Sequence, residues 1–236
     1  MSSIDAIINR QFRIWESQIA QRKEGQKPHI EPPIPPPVIT ISRERGSRGA
    51  YFGHKLAERL GYQCLHREII DAICGSTGYR KQMVEYLDEH YRSRLELTVA
   101  SLFTGQAVDH ADYVRNLYYV VLSMCRLGGV VLIGRGGNFI LGQTRGFHIR
   151  VVGPREKRIE NLMAFENMTR DNAADAVDQS DSERREWIHK LFKADINDPH
   201  QYDLVVNSAY IDSEEFGQGI IDAMKKKIAR LKDPCE

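Results

Sequence analysis

The sequence predicts an α/β protein: a parallel sheet of five short strands with helices on both faces. Three observations predict it. Five apolar runs, at residues 38–41, 62–65, 130–133, 147–152 and 202–206, alternate with segments of helical periodicity. Two of these runs end in glycine-bearing turns, Ser42 to Gly53 and Gly134 to Gly137. Each such turn lies at the carboxyl end of a strand, where ligands bind in sheets of this class.

The elements follow in order. Residues 1–27 form an amphipathic helical arm, with Ile4, Ile7, Ile8, Trp15 and Ile19 at helical spacing and Arg10, Arg13 and Arg22 among the polar positions. The arm is expected to pack on the body, on a second copy in a homodimer or on another partner. Docking on a membrane surface is the alternative. Residues 28–37, PHIEPPIPPP, carry six of the nine prolines and read as a stiff linker. The main domain spans 38–236. Val38 to Ile41 is a buried strand, and Phe52, Leu56, Ala57 and Leu60 share one face of the helix that follows. A second strand at Tyr62–Leu65 leads to a helix at 67–74 and a long charged helix at 80–103. A break at 105–109 precedes a helix at 112–127. The strand at 130–133 is all apolar, and Pro154 opens a helix after the strand at 147–152. An acidic stretch, 171–181, precedes a helix at 182–194, and a last helix covers 213–231.

Composition excludes several classes. With 33 basic and 32 acidic residues, the body as a whole has no charge for binding nucleic acid or membrane. No apolar run approaches the roughly 20 residues of a membrane span. A signal peptide is not expected, because Asn9, Arg10, Gln11 and Arg13 interrupt the N-terminal apolar pattern. The four cysteines, Cys64, Cys74, Cys125 and Cys235, form no C-x-x-C pair. They read as reduced, with Cys64 and Cys125 in the core, and argue against structural zinc. No metal ligand is nominated, and a cytoplasmic protein is expected.

Strand, glycine turn and helix around residues 38–60 put backbone N–H groups and the positive end of a helix dipole together, which suits a phosphate. The turn departs from G-x-x-x-x-G-K-[ST]. In helix register, Gly49 stands where the lysine should be and Ala50 where the hydroxyl should be. A backbone cradle, Ser47 and the cations Arg43, Arg45 and Arg48 remain. The alternative is that the glycines only make a tight turn.

From about Val38 to Leu231 the chain resembles the cytidylate-kinase-like group of P-loop nucleoside monophosphate kinases. Four segments carry the resemblance. ISRERGSRG is similar to the family's altered phosphate loop, I-S-R-E-x-G-S-G-G. VVLIGRGGNFIL is similar to the block holding D-G-R-D in true cytidylate kinases. VVGPREKRIENLM is similar to the strand, proline and Arg-bearing helix that follow. DPHQYDLVVNS is similar to D-P-x-x-Y-D-L-x-x-N. The resemblance implies a three-layer P-loop NTPase-like fold with helical lid and acceptor segments. It implies phosphoryl transfer from ATP, with Mg2+, to a nucleoside monophosphate such as CMP or dCMP, or to a similar small acceptor.

It also implies roles. Gly46, Ser47, Arg48 and Gly49 would present N–H groups to the donor phosphates, with Arg43 in place of the missing lysine. Arg135 would contact the acceptor nucleotide; the alternative is a surface arginine in a turn. Arg158 matches the family arginine of the helix after the fourth strand; the alternative is a helix-surface pair with Glu156 or Glu160. Arg184 and Arg185 would lie on the lid, or on a solvated helix face. Asp178 and Asp181 are read as solvated loop carboxylates rather than magnesium ligands. The chain departs from the family at Arg48, His66, Ile133 and Gly136, where the patterns have a glycine and three acids. These departures keep open a second function: a nucleotide-binding sensor or partner-binding module with impaired catalysis. A Rossmann dehydrogenase is disfavoured, because neither turn has G-x-G-x-x-G.

Overall fold

The computed structural model describes residues 3–24, 35–102, 108–211 and 213–231. In chain order the elements are α1 (Ser3–Glu24), β1 (Ile39–Arg43), α2 (Gly49–Leu60), β2 (Gln63–Leu65), α3 (Arg67–Gly75), α4 (Thr77–Glu85), α5 (Glu89–Leu102) and α6 (Val108–Leu127). Then come β3 (Val130–Ile133), α7 (Gly137–Leu141), β4 (Phe147–Val152), α8 (Arg155–Glu166), α9 (Arg170–Phe192), β5 (Leu204–Asn207) and α10 (Ser213–Ile228).

The five strands form one parallel sheet in the order β2-β3-β1-β4-β5. β1 is central, with Thr40 in register with Leu132 on one side and His148 on the other. Successive side chains point to opposite faces. Val130 and Leu132 therefore enter one core with α1, α3, α6 and α7. Val131 and Ile133 enter another with Ile39, Ile41, α2 and α10. The two cores make three layers, and the expected five-stranded parallel architecture is the one observed. The carboxyl ends of β1 and β3 lie side by side, which brings the two glycine turns together.

The apolar face of α1 is covered by the same chain. Ile8, Phe12 and Trp15 are each 2% exposed or less, and the Trp15 indole N–H donates to Gly128 O at 2.9 Å. No helix of the described residues is long and apolar enough to cross a membrane. Residues 28–34 of the linker, residues 105–107 of the break and Cys235 lie outside the described residues. Cys64, Cys74 and Cys125 are buried thiols.

Two helical assignments change. The stretch 80–103 is two helices, because Asp88 caps α5 by accepting the Tyr91 N–H at 2.8 Å while Leu87 turns into the core. The acidic stretch 171–181 is the first half of α9 rather than a loop. Thr169 caps that helix, and Ala173 and Val177 bury against Ile159 and Leu162 of α8. The short helix α7 was not expected.

Candidate functional site

The loop after β1 is a cradle with open donors. Ser47 is fully buried, and both its hydroxyl (2.9 Å) and its N–H (3.3 Å) donate to Glu44 O. Ser47 therefore ties the turn, with both its donors directed to Glu44 O within the loop. The N–H groups of Gly46, Arg48 and Gly49 make no hydrogen bond among the described residues. They surround the N-terminus of α2, where the helix dipole favours an anion. Close packing requires glycine at both ends of this cradle. A Cβ on Gly46 would collide with Arg158 O, and one on Gly49 would stand 2.5 Å from Arg43 Cβ. Arg48 takes a left-handed conformation, φ 56°, and its guanidinium lies 4.5 Å from the ring centroids of both Tyr51 and Phe165. The side chain is thus drawn sideways onto aromatic rings and does not close the loop.

Two cavities meet at a pair of arginines. One, of about 310 Å³, lies over the loop and includes Arg45, Gly46, Arg48, Asn161 and Phe165 in its lining. The other, of about 210 Å³, includes Thr40, Arg67, Arg135, Asn138 and Trp187. Arg43 and Arg184 line both. Arg184 donates to Arg43 O at 3.0 Å. The Arg43 guanidinium lies where a Cβ on Gly134 would stand, and it makes no hydrogen bond or ion pair among the described residues. Burial, and then the charge of Arg184, lower the Arg43 pKa to about 10. Burial also lowers that of Arg184. Two half-buried like charges on neighbouring elements favour an anion beside them.

The second cavity is organised by Arg135, which sits in G-R-G with φ 53°. Its Nε donates to Asp71 Oδ1 at 2.7 Å and its Nη2 to the other carboxylate oxygen. Its guanidinium lies 5.7 Å from the rings of both Tyr113 and Trp187. The Tyr113 hydroxyl donates to Asp71 Oδ1 at 2.7 Å. Burial disfavours the charge on Arg135, and the bonds to Asp71 outweigh it, so its pKa is raised. Arg135 is therefore a held group in the cavity wall, not a surface arginine.

Arg158 pairs with neither Glu156 nor Glu160. It is 8% exposed, pairs with Asp181 and with Glu44 (3.4 Å), and donates to Arg45 O (3.1 Å) and Gly153 O (2.9 Å). It clamps the back of the loop to α8 and α9. Asp181 is consequently no solvated loop carboxylate: it holds Arg158 and accepts the Arg45 N–H at 3.2 Å. Asp178 is exposed and pairs with Arg155. Arg185 is exposed and lines neither cavity, because it falls one residue off the face of α9 that carries Ser180, Glu183, Arg184 and Trp187.

Four site residues went unread in the sequence: Glu44, Asp71, Arg150 and Trp187. Arg150, 5% exposed, donates to Ser42 Oγ (2.9 Å) and Asn197 Oδ1 (2.8 Å). Its signal was present, since His148 and Arg150 alternate with apolar residues on β4. Trp187 stands three residues after Arg184 on one helical face. Glu44 and Asp71 had no local signal.

The loop does not fit a protein-held magnesium ion. Ala50 stands at the hydroxyl position, and each carboxylate bordering the loop is held by arginine: Glu44 by Arg150 and Arg158, Asp181 by Arg158, and Glu166 by Arg45.

Comparison with known proteins agrees with this architecture. The model of the cytidylate kinase-like family matches residues 38–210, and the chain belongs to that family. A solved structure of an uncharacterized protein from Eubacterium ventriosum superposes with a TM-score of 0.62 at 18% identity, covering 80% of this chain and 98% of that one. That likeness shows the fold. Shikimate kinase from Acinetobacter baumannii, solved in complex with shikimate, gives a TM-score of 0.44 at 14% identity over 81% and 94% of the two chains. That score is too low to carry an argument. The uronate isomerase of Corynebacterium glutamicum is 29% identical over 100 residues, 42% of this chain. The match spans only 19% of that protein's length, so it is local.

Proposed function

We propose that this member of the cytidylate kinase-like family transfers the terminal phosphoryl group of ATP to a CMP- or dCMP-like nucleoside monophosphate, or to a similar small acceptor. The observation that carries the reading is the meeting of two cavities at Arg43 and Arg184. Donor phosphates would rest on the N–H groups of Gly46, Arg48 and Gly49. The acceptor would lie in the cavity walled by Arg135, Asn138 and Trp187. An acceptor oxygen then forms a bond to the γ-phosphorus as the bond from that phosphorus to the β–γ bridging oxygen breaks. Negative charge spreads over the equatorial and leaving oxygens, where the two half-buried cations Arg43 and Arg184 would stabilise it. No step is assigned to a protein-bound metal.

Arg158 is a positioning residue in this scheme, acting through the loop backbone, and Arg185 has no part. Because the body covers the apolar face of α1, a partner or a second copy would meet its polar face, where Arg10 and Arg13 are exposed. A cytoplasmic setting suits a kinase supplied with ATP.

The test is turnover by the purified full-length chain with ATP, Mg2+ and a panel of monophosphates. ADP release that depends on one monophosphate is the expected result. Calorimetric binding of an ATP analogue without turnover on any acceptor would favour the sensor or partner module. Absence of binding would reduce the loop to a tight turn and overturn the proposal.

A further inference from the structure

Beside Arg67, and near enough to Arg43 for its charge to act on Cys64 and His66, three metal-ligating side chains meet between α2 and β2. Cys64 lies in β2 and His66 follows it in extended backbone (φ −82°, ψ 171°). Residues two apart in extended chain point to the same side. α2 packs on that side and brings His54 to them. The Nε2 atoms of His54 and His66 are 2.6 Å apart. One ring nitrogen from each histidine and Cys64 Sγ all lie within 4.8 Å of one another.

We propose that His54, Cys64 and His66 bind one zinc ion, through two imidazole nitrogens and a thiolate, with the fourth position open to water. The donor set selects the ion. Imidazole and thiolate suit zinc and its borderline neighbours, whereas magnesium and calcium take oxygen. The spacing suits it as well. Tetrahedral zinc with bonds of about 2.0–2.3 Å holds neighbouring ligand atoms about 3.3–3.6 Å apart. The two imidazole nitrogens, 2.6 Å apart, stand closer than that range, and a small rotation of the exposed His54 side chain opens the difference. His54 is exposed, so it can make such a rotation and the ion has a path in. In the present arrangement one imidazole donates its Nε2–H to the other. On binding, that ring moves its proton to Nδ1 by exchange with solvent and both rings stay neutral. One proton, from the Cys64 thiol, leaves to bulk. The cysteine spacing gave no sign of this site, because two of its ligands are histidines and one comes from a separate element. The proposal does not rest on the kinase reading.

The test uses the full-length chain, stripped with a chelator and titrated with Zn2+ in competition with a chromophoric chelator. Co2+ serves as the spectroscopic probe. The expected result is one ion and one released proton per chain. With Co2+, the visible bands of tetrahedral coordination should appear together with a thiolate-to-cobalt band that Cys64→Ser abolishes. His54→Ala, at an exposed position that leaves the fold intact by circular dichroism, should weaken Zn2+ by more than about tenfold, the low end of what even outer-shell changes cost. Three results overturn the proposal: no ion taken up, a thiolate band that survives Cys64→Ser, or unchanged affinity in His54→Ala.

Discussion

The turns after β1 and after β3 hold an arginine in the same uncommon backbone conformation and put it to different use. Arg48 has φ 56° and Arg135 has φ 53°. Both stand just ahead of a helix, α2 and α7, in a region that costs a residue with a Cβ about 1–2 kcal/mol. Across from Arg48 stand Tyr51 and Phe165, and the guanidinium spreads between their rings. Across from Arg135 stands Asp71, and the guanidinium is held in a cavity wall. The turn sets where the side chain leaves the backbone. The element opposite sets what that side chain does.

Several changes would break or sharpen this contrast. The largest effect is expected where the two cavities join. Arg184→Ala should lower kcat by about 10³ or more, the lower range for an arginine facing a transferring phosphoryl, with Arg184→Lys recovering part of the loss. A rate near that of the parent would move the transfer point elsewhere. Next comes the β3 turn. Arg135→Ala should raise the acceptor KM by about tenfold or more, the loss of a charge-assisted hydrogen bond, while the KM for ATP stays in place. Equal rises in both would erase the division of labour between the turns. A smaller effect is expected at the β1 turn. Arg48→Gly relieves the left-handed strain and loses two cation–π contacts, terms of about 1 kcal/mol that oppose each other. Melting should therefore shift by no more than about 2–4 °C, with kinetics close to the parent. A collapse of ATP affinity would instead place Arg48 on the phosphates.

Neither turn should respond directly to mild acid, and the sheet between them supplies the control. His148 is a buried residue of β4, with Thr40 Oγ1 at 2.8 Å, Gly142 O at 2.8 Å, and Asp203 and Lys227 nearby. Burial lowers its pKa to about 4. The unfolded chain, near the ordinary 6.5, takes the proton first. Stability is therefore complete above about pH 6.5 and is lost as pH falls toward 4. Denaturant midpoints measured between pH 7 and 4.5 check this; a flat profile would refute the assignment. Substrate KM values of the still-folded protein at pH 6 should stay at their neutral values.

Much of the scaffold was readable without coordinates. Runs of four to six mostly apolar residues, bounded by turn residues and alternating with helical segments, read as strands, and the face of α2 follows from a 3.6-residue period. Glycine at 46, 49, 134 and 136 announces turns that need close approach or positive φ. These are local properties, so the sheet and the position of both loops came from the sequence by itself. The site's wiring did not. Arg158 finds Asp181 and Glu44, Arg135 finds Asp71, and Arg184 rather than Arg185 reaches the cleft. Even the helical state of residues 171–181 waited on α8, whose Ile159 and Leu162 bury Ala173 and Val177. A charged side chain carries no period that names its partner. It goes to whichever opposite charge, carbonyl or ring the packing places within its reach, often a hundred residues away along the chain. The tertiary structure alone decides that.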